Sequence, residues 1–138
     1  MTNQTQQAIL EVKDLSVCFN QNDKVITAAE NISFKVFKGK TLAIVGESGS
    51  GKSVSAQSIL RLLPKDKAFH PKGEITFQNK DLLRISEAQM RAVRGAHIGM
   101  IFQEPMTSLN PLHNIEKQIS ESLLLHNRKL TKKESRTR

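Results

Sequence analysis

An α/β fold built around a phosphate-binding loop is what the sequence predicts, and three adjacent stretches predict it. Residues Gly46-Glu47-Ser48-Gly49-Ser50-Gly51-Lys52-Ser53 fit the pattern G-x-x-x-x-G-K-[ST]. The run before them, Thr41-Leu42-Ala43-Ile44-Val45, is short, apolar and β-branched, and reads as a buried parallel strand. The run after them, from Lys52 to Leu63, carries apolar residues at helical spacing. Strand, glycine loop and helix in that order are the context that turns the pattern into a mechanism.

Each loop residue has a physical task. Gly46, Gly49 and Gly51 let the backbone approach a phosphate without Cβ clashes. The amides of Glu47, Ser48, Ser50 and their neighbours then face inward as an anion nest. A helix opening near Lys52 adds the positive end of its dipole. Lys52 is expected to place its ammonium on β- and γ-phosphates, and Ser53 to offer a hydroxyl to Mg²⁺. This is the P-loop NTPase class of α/β fold.

The remaining elements follow in chain order. Met1 to Gln7 is polar, carries no signal-peptide pattern, and reads as a disordered tail. Leu10, Val12, Leu15, Val17 and Phe19 alternate with polar residues except at Lys13-Asp14, which predicts a bulged strand. Gln21-Asn22-Asp23-Lys24 reads as a turn, and Ile32, Phe34 and Val36 mark a second strand. An antiparallel β pattern therefore precedes the loop. Pro64 to Lys72 reads as a polar loop, and Gly73 to Phe77 as a short strand. Ser86 and Gln89 have the capping-box spacing for a helix to about Arg94, stopped by Gly95. Ile98 to Phe102 is a second apolar run with the look of a strand. Asn114 is placed to cap a helix carrying Ile115, Ile119 and Leu123 on one face. Thr131 and Glu134 form another capping-box pair, but too few residues follow for a helix that overcomes its nucleation cost.

Composition narrows the function. The chain has 138 residues, a formal net charge of +8 and 38% hydrophobic residues. No apolar run approaches the length of a membrane span. Cys18 is the sole cysteine, so no internal disulfide forms, which suits a reducing compartment. The charge is concentrated: Arg128, Lys129, Lys132, Lys133, Arg136 and Arg138, against Glu134 alone, contribute +5 of the +8. With no Trp or Tyr interleaved, this reads as a solvated surface, and no nucleic-acid partner is expected. His70, His97, His113 and His126 lack metal-ligand spacing. Glu47 and Glu104 have no partner carboxylate arranged for acid–base work.

From about Ala8 onward the chain resembles the ATP-binding subunits of ABC transporters. Gly46 to Ser53 is similar to that family's Walker A motif. Met100-Ile101-Phe102-Gln103-Glu104-Pro105-Met106-Thr107-Ser108-Leu109-Asn110-Pro111 resembles the Q-loop of its oligopeptide and dipeptide importer branch. Ser58 to Pro64 and Leu112 to Gln118 are similar to microcin C-like and peptide importer ATPases. The resemblance implies an ABC-type ATPase domain. Its β subdomain and Walker A would occupy about 8–63, the Q-loop about 98–111, and the start of a helical subdomain about 112–138. It implies ATP and Mg²⁺ as ligands, with Ser53 and Gln103 on the metal side. Gln103 would act as a sensor rather than a catalyst, and Phe19 would stack on adenine where many members carry Tyr. Integral membrane permease subunits and a second ATPase domain are the implied partners, at the cytoplasmic face of the membrane.

The same resemblance implies elements that the 138 residues do not contain: the signature motif, the Walker B Asp, the catalytic Glu and the switch His. The chain is accordingly expected to be a truncated domain, poorly stable and incompetent in hydrolysis by itself. Two rival readings stand beside the importer: a non-transport ABC ATPase acting on nucleic acid or ribosomes, and a non-functional fragment. The importer form of the Q-loop argues against the first.

Overall fold

The computed structural model describes residues 7–104, 109–127 and 129–137, so Met1 to Gln6 of the expected tail, Pro105 to Ser108 of the Q-loop stretch, Arg128 and Arg138 lie outside the described residues. The chain divides into two compact units, Met1–Met90 and Arg91–Arg138.

The first unit is built on a four-stranded antiparallel sheet of order β2-β1-β3-β4: β1 Ala8–Gln21, β2 Lys24–Phe37, β3 Ala68–Phe77 and β4 Lys80–Asp81. Asn22 (φ 48°) and Asp23 (φ 60°) close β1 onto β2 through a two-residue left-handed turn whose twist matches that of the strands. Gln78 and Asn79 repeat the device between β3 and β4. The expected break in β1 is a bulge. Val12 pairs with Phe34 and Leu15 with Ile32, so β1 spends an extra residue there, and Asp14 takes φ 47°. Ser33 steadies the bulge, accepting from the Asp14 amide at 2.8 Å and donating to its carboxylate at 3.2 Å. Strand β2 returns the extra residue near Asn31 (φ 52°), whose amide donates to the buried Ser16 hydroxyl at 3.1 Å. On its other side the β1 bulge receives Gly73 (φ 108°), where a Cβ would stand 2.4 Å from Leu15 Cα.

Helix α1, Lys52–Ile59, follows the glycine loop and is shorter than the predicted run to Leu63. Arg61 ends it by adopting φ 51°. The Arg61 amide donates to Ser58 O and the Leu62 amide to Gln57 O, both at 3.0 Å, the paired bonds of a Schellman turn. Helix α2, Glu87–Val93, has the expected cap: Gln89 N donates to Ser86 Oγ and Ser86 N to Gln89 Oε1. Val12, Leu15 and Val17 of β1, Ile75 of β3, Leu60, Leu63, Leu82 and Met90 form the buried core.

Three expectations about this unit and the next are corrected. Strand β3 begins at Ala68, not Gly73, because Phe69 and Lys72 pair with Cys18 and Ser16 despite the intervening Pro71. Thr41 to Val45 is irregular and exposed, with Val45 at 90%, instead of a buried strand. Ile98 to Phe102 likewise forms only one parallel bridge, Arg94 to Ile98, and leaves Ile101 92% exposed. A parallel strand exists through its neighbours, and among the described residues the first run has none and the second has only the Arg94 bridge.

In the second unit, helix α3, Ile115–His126, is capped as expected, Lys117 N donating to Asn114 Oδ1 at 2.8 Å. Ile115 and Ile119 of its apolar stripe are exposed, and Leu123 is half-buried. Helix α4, Lys132–Arg136, does form, against expectation, as a single turn. Its capping box is complete at Thr131 and Glu134, and Arg136 reaches Glu116 of α3. These local bonds supply what length does not.

One residue of the sheet makes stability depend on pH. Burial, and secondarily the Arg61 cation, hold the His70 imidazole below its ordinary value near 6.5. The unfolded chain therefore takes up this proton at a higher pH than the native one. The associated stability is complete above the unfolded value and is lost as pH falls through it toward the folded value. Urea midpoints should drop between about pH 7 and about pH 5, and His70→Phe should flatten that part of the dependence.

Candidate functional site

The glycine loop leaves the irregular 41–45 segment and turns tightly at Gly49 (φ 80°), with the Ser50 amide donating to Glu47 O at 3.3 Å. Lys52 folds back over the loop. Its ammonium donates to Gly46 O at 2.8 Å, Glu47 O at 2.5 Å and Ser50 Oγ at 3.1 Å. A positive charge is thus held at the loop's mouth by three oxygens of the loop itself, all in exposed surroundings.

Gly51 (φ 85°) is the N-cap of α1 and is buried. A Cβ there would meet Ala28 O at 2.5 Å and Ala29 Cβ at 3.0 Å, so β2 forms the floor on which the loop rests. Ser55, also buried, returns its hydroxyl to Gly51 O at 2.9 Å and ties that floor to the helix. The first amides of α1, those of Lys52, Ser53 and Val54, have no acceptor within the helix by geometry. They lie beside the Lys52 charge, and the exposed Ser53 hydroxyl is in the same first turn. Amides at a helix start, an ammonium, and a loop with no space taken by a Cβ at Gly49 make a donor set that fits a phosphate group. The exposed Ser53 hydroxyl fits an oxygen-preferring cation such as Mg²⁺.

The structure therefore brings Gly46 to Ser53 together in one turn. Phe19 is half-buried near the hairpin end of the central strand β1, paired with Ile26 on β2 and with Ala68, the first residue of β3. Gln103 is exposed in the second unit, in an irregular segment after the Ile98 bridge. Sequence reasoning missed Ala28, Ala29 and Ser55. The small pair Ala28-Ala29 interrupting a β-branched strand was the available signal, since a strand gives up bulky residues where another backbone approaches.

Residues 29–138 match the protein family described as ABC transporter. The chain is 58% identical over 120 residues to the peptidoglycan transport ATP-binding protein YejF of Agrobacterium fabrum, covering 87% of this chain and 22% of that protein. It is 49% identical over 130 residues to the oligopeptide transport ATP-binding protein OppD of Bacillus subtilis, covering 94% and 36%. The chain thus spans less than two fifths of the length of these relatives. Among solved structures, a dimeric bacterial ABC transporter cassette superposes with a TM-score of 0.77 at 23% identity, over 93% of this chain and 53% of the cassette.

Proposed function

This chain belongs to the ABC transporter family, and from that premise we propose that it is the N-terminal part of an ATP-binding domain serving a peptide importer. The observation that carries the nucleotide half is the Lys52 ammonium held at the mouth of a glycine loop that opens a helix. The importer half draws on relatives named for oligopeptide and dipeptide transport, at 49% and 48% identity. It draws also on the Q-loop resemblance around Gln103.

In this reading residues 8–63 hold the nucleotide, 98–111 carry the Q-loop and 112–138 begin a helical subdomain. Lys52 exchanges its carbonyl contacts for phosphate oxygens. The amides at the start of α1 bind the same group, and Gly51 holds them in place on β2. Ser53 and Gln103 are the side chains offered to Mg²⁺, which when bound screens phosphate charge. Phe19 offers an aromatic face to the adenine. Permease subunits and a second ATPase domain complete the assembly, with this chain at the cytoplasmic face of the membrane. Among the described residues no helix is long and apolar enough to cross a membrane.

The test is nucleotide titration with and without Mg²⁺. Phe19→Ala should weaken ATP about tenfold, as befits one lost stacking contact of about 1–1.5 kcal/mol, while Phe19→Tyr should leave it unchanged. Ser53→Ala should remove the benefit of Mg²⁺ and leave metal-free binding intact. Equal affinity of all three variants with and without the ion would reject the assignment.

A further inference from the structure

A second concave site lies wholly within the first unit, between the C-terminal turn of α1, strand β3 and the segment after β4. Its volume is about 680 Å³, and Arg61, Lys65, His70, Lys72 and Arg84 are among the residues that line it. That volume falls within the range of about 300–1,000 Å³ usual for small-molecule pockets. Among the described residues, Glu87 and Asp81 are the carboxylates paired with the cations of this wall. Glu87 lies 2.9 Å from Lys65 and 3.7 Å from Arg61, and Asp81 lies 3.1 Å from Arg84. Positive charge therefore remains in excess on a concave wall, where it attracts anions most strongly.

Two further features point the same way. Arg61 takes φ 51° at the end of α1, a conformation that ordinarily selects glycine. An arginine is kept there at the cost of backbone strain. That backbone sends the side chain across to Ile85 O at 2.8 Å and toward Glu87, fixing a guanidinium on the cavity wall. The second is His70. Its ring lines the cavity, yet its Nε2 is buried with no hydrogen-bond partner among the described residues. A rotation of the ring into the cavity trades that unsatisfied nitrogen for a bond to a ligand oxygen.

We propose that this cavity is a binding site for a phosphate group carried by a small ligand, separate from the glycine loop. Arg84 supplies a planar fork for phosphate oxygens, and Arg61, held in place by Ile85 O and Glu87, adds a fixed cation on the wall. Lys65 and Lys72 add point charges, and His70 adds a neutral N–H. A phosphate group offers these donors two unesterified oxygens as a diester and three as a monoester, each carrying a share of full negative charge. The phosphate has two possible sources, a soluble metabolite or a phospholipid head group, and the two share this recognition chemistry.

The experiment is calorimetric titration of the full chain with inorganic pyrophosphate. It is carried out in a Lys52→Ala background so that the glycine loop does not contribute. A parallel arm measures cosedimentation with phosphatidylglycerol vesicles against phosphatidylcholine vesicles. Arg84 has an 85% exposed side chain and Lys72 is exposed, so the pair Lys72→Glu and Arg84→Glu should preserve the fold, which the melting profile checks. Pyrophosphate binding weakened about tenfold or more by the paired reversal supports the site with a soluble source. Vesicle binding selective for phosphatidylglycerol and abolished by the reversal supports it with a lipid source. Binding in neither arm, or binding indifferent to the reversal in a folded protein, overturns it. Because Lys52 is already replaced, neither result bears on the nucleotide site.

Discussion

Replacing Gly73 with alanine is expected to destabilise the first unit by about 3–5 kcal/mol, a large share of the stability of an ordinary domain. The added Cβ would lie 2.4 Å from Leu15 Cα, 2.8 Å from Leu15 N and 2.9 Å from Asp14 O. All three are backbone atoms of the β1 bulge, and none can rotate away as the tip of a side chain would. The φ of 108° adds strain that no L-residue escapes. Relief requires β3 to separate from β1 at the point where the pair Ser16–Lys72 follows the bulge. Gly39 is the internal control. It too has positive φ, at 70°, but a Cβ there meets nothing within 4 Å. Gly39→Ala should therefore cost only about 1 kcal/mol of backbone strain. Urea unfolding of the two variants measures the difference, and equal midpoints would show that the bulge yields.

Lys52→Ala is expected to weaken ATP binding by about 10²–10³-fold while leaving the melting temperature nearly unchanged. The ammonium supplies charge-assisted hydrogen bonds, and the loss of two such bonds to phosphate amounts to about 3–4 kcal/mol. Its present partners, Gly46 O, Glu47 O and Ser50 Oγ, are all exposed, so removing it leaves no buried group unsatisfied. Lys52→Arg should recover only part of the affinity, because a bulky planar fork does not reproduce a compact point charge inside a tight loop. Full affinity in Lys52→Ala would remove the loop from the binding site.

Local chemistry was legible in the sequence and non-local pairing was not. The caps at Ser86, Asn114 and Thr131 are bonds between residues three apart, complete within a few letters. The Asn22-Asp23 turn and the break at Lys13-Asp14 are likewise written where they act. Strand β3 was hidden because its first residues, Ala68 to Lys72, include Pro71 and take strand form through distant partners on β1. Thr41 to Val45 misled in the opposite direction. Apolar, β-branched composition describes a strand's preference for burial, and burial needs neighbours that the described residues do not supply. The glycine loop could be read from its own eight residues. The Ala28–Ala29 floor was signalled only by two small residues in a β-branched strand, and which loop rests on it could not be read, because it adjoins Gly51 only in the folded sheet.

The contacts of Lys52 have a further consequence, best put in populations. The loop is not an open receptacle waiting for charge. Its lysine is already engaged by the loop's own carbonyls, so arriving phosphate competes with an occupant built into the chain. The affinity observed is then the intrinsic affinity scaled by the fraction of molecules in which that occupant has let go. Anything that holds Gly46 and Glu47 away from Lys52 would tighten binding without touching the nucleotide, and anything that presses them together would loosen it.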